Sequence, residues 1–190
     1  MSLLILGLAI FFLVHASTMA RGARAGLVER LGVGTYKGAY SALSALGIVL
    51  VVWGFAQYRG AGMTPLYAPP AFGRHIGPLL LLFSFILIAA ANMKPGYIKS
   101  SLQHPFLAGI GLWAIAHLLM NGDQGGLLLF GAFLVYVIID LAAAFARGPR
   151  AMAAPDWRYD VRAGVGGLVI LLLFVFIVHP YVFQIPLNMG

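Results

Sequence analysis

Six apolar runs fix what this chain can fold into. They cover residues 3–19, 40–58, 76–92, 105–120, 126–146 and 163–183. At 1.5 Å of rise per helical residue, runs of this length cross the roughly 30 Å hydrocarbon core of a bilayer. Helix-breaking chemistry separates the later ones: Lys94-Pro95-Gly96, Asn121-Gly122-Asp123 and Arg147-Gly148-Pro149. Backbone polar groups in lipid need internal partners, and the period-two polar alternation of a membrane barrel is absent. The fold class is therefore all-α: a polytopic integral membrane bundle of about six transmembrane helices, forming a single domain over residues 1–190.

Composition agrees, because 62% of the 190 residues are hydrophobic and 9% are charged, too apolar for a soluble domain of this size. The expected partner is the lipid bilayer. A net charge of +7 raises the question of nucleic acid. The positive residues, however, sit in short clusters between spans, as topology signals do, so no nucleic-acid partner is expected. Loops after spans one, three and five hold ten of the twelve Lys and Arg residues, leaving only Arg59 and Arg74 on the other side. The positive-inside rule then places both termini outside the cytoplasm. Residues 1–19 lack the positive start of a signal peptide and are followed by Arg21, Arg24 and Arg30, the mark of an uncleaved first span. Residues 60–73, with Tyr67, Pro69, Pro70 and Phe72, form an outer loop expected to pack at the interface rather than act as a lid.

Cysteine is absent, which excludes thiolate ligands, iron–sulfur clusters and thiol nucleophiles. Five histidines remain as the candidate chemistry: His15, His117 and His179 late in spans one, four and six, and His75 and His104 at span starts. Neutral imidazole is a usual axial ligand of haem iron, so haem b is the leading cofactor. Each histidine also has a plainer role as an interhelical donor, an interfacial group or a helix flank. His104 and His117 lie about 20 Å apart along one helix and cannot share a metal. Zinc is the competing metal; it would have to gather His75, His117 and His179 from three helices, since no His-x-x-x-His spacing occurs. Asp140 is expected to pair with Arg147, and Ser84, Gly7, Gly47, Gly111 and Gly131 to mark close helix contacts.

Several stretches are specific when taken together: Val14-His15-Ala16-Ser17; Arg30-Leu31-Gly32 followed by Tyr36-Lys37-Gly38-Ala39-Tyr40-Ser41; Val52-Trp53-Gly54; Arg74-His75; and His104-Pro105 with Gly109. Above all there is Leu112-Trp113-Ala114-Ile115-Ala116-His117-Leu118-Leu119, followed by Asn121-Gly122-Asp123. Across nearly its whole length the chain resembles the NnrU family, of which the plant 15-cis-zeta-carotene isomerase is a distant relative. The resemblance implies a multi-pass protein of the bacterial inner membrane linked to denitrification and nitric oxide metabolism. Its isomerase branch implies a haem b cofactor with axial ligands at the His15 and His117 positions. His75, His104, His179 and Trp113 join them as candidate cofactor-binding residues. In that branch reduced haem turns a cis double bond of a polyene to trans, so a polyene or another lipid-soluble ligand is the implied substrate. The plant enzyme has cysteine where this chain has Ala114, which removes any thiolate ligand exchange. The function classes are thus a haem protein with a redox or isomerase-like role, a polyene cis–trans isomerase, and a non-enzymatic assembly or sensing factor for respiratory reductases. A minor one is a membrane methyltransferase, whose Arg-His-Pro stretch is similar to Gln103-His104-Pro105 here.

Overall fold

The computed structural model describes residues 1–183. It is built from helices α1 (Ser2–Met19), α2 (Arg21–Leu31), α3 (Val33–Gly60), α4 (Gly73–Ala91), α5 (Tyr97–Leu102), α6 (Pro105–Met120), α7 (Gln124–Ala146) and α8 (Trp157–Leu173). A π-helical segment, Phe174–Val182, continues α8. Five helices, counting α8 with its extension once, are long and apolar enough to cross a membrane, and α6 is a shorter apolar helix. Large apolar side chains such as Leu13, Val165 and Tyr181 stand exposed on these helices, an arrangement that only lipid solvates. The protein is a multi-pass membrane protein with an all-α fold.

Two of the inter-span stretches are more helical than their polar composition predicts. Residues 20–39 are interrupted only at Ala20 and Gly32, whose φ of +78° is cheap for glycine alone, so α3 begins at Val33 rather than near residue 40. After α4, the short α5 forms because the Asp160 carboxylate of α8 accepts the Tyr97 and Ile98 amides at 2.8 and 3.0 Å. Those are first-turn amides that a helix leaves without partners, and their acceptor lies over sixty residues away. Lys99 Nζ donates to the Ala91 and Met93 carbonyls at 2.7 and 2.6 Å, closing the end of α4 in the same way.

The chain divides into two compact units, Met1–Thr64 and Pro65–Gly190. In the first, α1 and α3 run antiparallel along a seam of small residues. A Cβ added to Gly7 would come within 2.6 Å of Val51 N, one on Gly47 within 3.0 Å of Phe11, and one on Gly54 would strike the Leu4 backbone. Leu4 and Leu8 are buried in that seam. In the second unit α4 is the common support. Fully buried Ser84 of α4 donates to the Gly109 carbonyl of α6 at 2.8 Å, and Gly167 of α8 lies against the Ile86 backbone. Helices α6 and α8 both run antiparallel to α4, so their C-terminal ends reach the same end of the unit. Helix α7 folds back on α6 through the Asn121-Gly122-Asp123 turn.

Ser84, Gly7, Gly47 and Gly111 are thus interhelical contacts, but Gly131 is not. Among the described residues a Cβ there would meet only Leu127 of its own helix, at 4.0 Å. Asp140 does pair with Arg147, at 4.0 Å, and Tyr136 donates to its other oxygen at 3.4 Å.

Candidate functional site

His117 occupies the last turn of α6 and is buried. Its Nδ1 lies 2.8 Å from the Trp113 carbonyl, one turn back. A carbonyl oxygen can only accept, so Nδ1 carries the proton and Nε2 keeps the lone pair that binds metals. Phe130 of α7 stacks on the imidazole with centroids 4.3 Å apart, and the Trp113 ring lies 5.0 Å away. Trp113 in turn meets Phe130 and Phe133 edge-on at 5.0 and 5.3 Å. It therefore orients His117 through its carbonyl and walls it through its ring. His179, on the π-helical segment, faces the same ring at 6.4 Å with the two planes only 12° apart.

A polar cap closes this end of α6. Asn121 returns both its backbone N and its Nδ2 to the His117 carbonyl at 2.8 Å, and Asp123 caps α7 by accepting the Gly126 amide at 2.8 Å. The Leu66 and Tyr67 amides both donate to the Gly122 carbonyl, and the Tyr67 hydroxyl donates to the carbonyls of Leu118 and Asn121. Burial, and then the neighbouring Asp123 charge, raise the Tyr67 pKa, which keeps the phenol protonated as a donor. Residues 65–67 are thus fastened to the α6–α7 turn by backbone bonds.

The other histidines are dispersed. His15, in the first unit, repeats the arrangement of His117: its Nδ1 is 2.8 Å from the Phe11 carbonyl and its ring stacks on Phe11 at 3.9 Å. His75 is exposed at the start of α4. His104 is buried at the start of α6, edge-on to Phe145 at 5.6 Å. Burial first, then Arg150 and Arg147, lower its pKa against a weaker opposing pull from Asp140, so it rests neutral. Among the described residues no three His, Asp or Glu side chains converge, and the zinc set of His75, His117 and His179 does not assemble. Only His117 and His179 come together.

Residues 3–187 match the family described as NnrU protein. The chain belongs to that family. No curated protein and no solved structure matches it. In this NnrU member the stretch Leu112–Leu119 with Asn121-Gly122-Asp123 builds the site: Trp113 orients, His117 presents nitrogen, Asn121 caps. Phe130 and Tyr67 escape a motif-based reading. The hairpin turn carries the signal for Phe130, since folding α7 back at residues 121–123 brings residue 130 opposite residue 117. Nothing local marks Tyr67, whose partners lie over fifty residues away.

Proposed function

We propose that this NnrU family member binds haem b in the bacterial inner membrane and uses it in a redox or isomerase-like step connected with nitrogen-oxide metabolism, His117 supplying an axial imidazole. The observation that carries this reading is the state of His117: buried, walled by Phe130 and Trp113, and held in the tautomer that offers Nε2. The donor set fits haem. A porphyrin fills four positions of its iron and asks the protein for one or two axial ligands, whereas catalytic zinc asks for three. Among the described residues the imidazoles have no convergent third ligand, which matches the first demand. Bound haem would supply a one-electron iron couple in an apolar medium. The chain's own part is to fix the imidazole through the Trp113 carbonyl and to exclude water with the aromatic wall. His15, the other ligand implied by family resemblance, carries the same Nδ1-to-carbonyl bond in its own unit.

Detergent-purified protein from haem-replete cells is expected to show a Soret band with narrow α and β bands on reduction, and pyridine extraction to identify the b type. A colourless preparation would overturn the reading. A ferrous form with an open iron site favours ligand or substrate chemistry, and a permanently six-coordinate one favours electron transfer or sensing. The charge distribution further supports both termini lying outside the cytoplasm. Alkaline phosphatase fused after Gly190 should therefore be active, and activity restricted to a cytoplasm-folding reporter would refute that orientation.

A further inference from the structure

We infer that the start of α6 binds a phosphate group, supplied there by an anionic phospholipid headgroup, with His104 and Arg150 as the side chains that recognise it. The site lies about 20 Å along α6 from His117 and stands whether or not haem is bound. The observation that carries it is an unsatisfied imidazole. His104 is 9% exposed, and among the described residues neither of its ring nitrogens has a hydrogen-bond partner. Its ring contact is the edge-on one with Phe145. A neutral imidazole has one N–H to donate and one lone pair to fill, and leaving both empty away from water costs stability until a ligand fills them. Ser100, whose carbonyl accepts the Gln103 side-chain amide at 2.7 Å, likewise keeps a buried hydroxyl that no described residue meets.

The local fold brings cations to this corner. Helix α7 ends level with His104, as the Phe145 contact shows, and Gly148, at φ +79°, turns the chain back across the start of α6. Gln103 fixes that return, because its Oε1 accepts the Arg150 amide at 2.9 Å while its Nε2 is held by Ser100. Gln103 itself sits at φ +60°, a conformation costly without glycine, and the two bonds on its side chain hold it there. After burial itself, the charges of Arg150 and Arg147 are what lower the His104 pKa, so both guanidinium groups act on its ring.

The charges at this end select an anion. Asp160 is engaged by the α5 amides and Asp156 by the Arg158 amide, while Asp140 meets Arg147 at the outer limit of an ion pair. Arg150 is exposed and has no acidic partner among the described residues. No side chain caps the α6 N-terminus, where the helix dipole and the first-turn amides favour negative charge. An imidazole N–H, a guanidinium and a helix N-terminus are together the donors that phosphate oxygens take up. The source follows from the place. Span ends with an excess of Lys and Arg, here including Lys94 and Arg162 on neighbouring elements, are where anionic headgroups bind.

The test is the thermal-unfolding midpoint of delipidated full-length protein in detergent, with phosphatidylglycerol, phosphatidylcholine or inorganic phosphate added. Phosphatidylglycerol is expected to raise the wild-type midpoint, and phosphatidylcholine, whose cationic choline the arginines repel, to leave it in place. Arg150→Gln alters an exposed side chain and should raise the half-effective phosphatidylglycerol concentration about fivefold, the worth of one cation at a membrane surface. His104→Leu removes a polar group that has no partner, so without lipid it should unfold no earlier than wild type, yet lose most of the lipid-induced shift. Arg158→Gln removes the same charge from the start of α8 and should keep the wild-type shift. A shift with inorganic phosphate equal to that with phosphatidylglycerol, lost in Arg150→Gln and His104→Leu, supports the phosphate site with the soluble anion as its source. A phosphatidylglycerol shift that survives in both variants, or that Arg158→Gln weakens as much as Arg150→Gln does, overturns the site. So does an earlier midpoint of lipid-free His104→Leu, or the absence of any shift with either phosphatidylglycerol or phosphate.

Discussion

His117→Ala should purify with haem occupancy reduced at least about tenfold, and with its helical circular dichroism unchanged. Changes to groups that merely support a ligand cost roughly 10–100-fold in metal affinity, and removing the ligand itself should cost no less. Alanine also leaves a space lined by Phe130 and Trp113, where water finds few partners to stand in for the imidazole. The helix should survive, because its C-terminal cap bonds the His117 backbone carbonyl rather than the ring. His104→Ala is the matched control. It lies about 20 Å away along α6 and packs on Phe145, so its spectrum should match wild type. Full occupancy and an unchanged low-spin spectrum in His117→Ala would refute the site.

The spans were legible in the sequence because lipid imposes a length and a composition on each of them separately. All six runs became helices, with Lys94-Pro95-Gly96 and Asn121-Gly122-Asp123 among the breaks. The Asp140–Arg147 pair was legible for a similar reason, since seven residues are two turns of one helix. Features joining distant segments were not. Helix α5 owes its first turn to Asp160, and the loop holding Tyr67 is fixed by carbonyls beyond residue 117. Of the candidate site, His117 and Trp113 were picked out by the motif. The closeness of His179 came from packing, because both α6 and α8 lie antiparallel to α4. Even the right expectation that Pro180 disturbs the last span gave no direction for the disturbance, and a π-helical continuation aims His179 where a simple helix end would not.

That packing includes one backbone contact with almost no tolerance, so Gly167→Leu should be strongly damaging although it lies outside the site. A Cβ at Gly167 would lie 2.6 Å from both the Ile86 Cα and N, which are backbone atoms that no rotamer change can move aside. Overpacking costs roughly 1–3 kcal/mol where side chains give way, and the upper end or more applies where backbone must move. Helix α8 would separate from α4, carrying its π-helical end and His179 away from His117. The expected result is a clear fall in the detergent-denaturation midpoint together with reduced haem occupancy. Gly166→Ala, one residue earlier, should change neither, since its Cβ would meet Met93 and Ala89 only at 3.7 and 4.0 Å. Both effects must appear together if the α4–α8 contact holds the wall that His179 forms beside His117. A Gly167→Leu protein that loses stability yet keeps wild-type haem occupancy would show that the site does not depend on the α4–α8 contact.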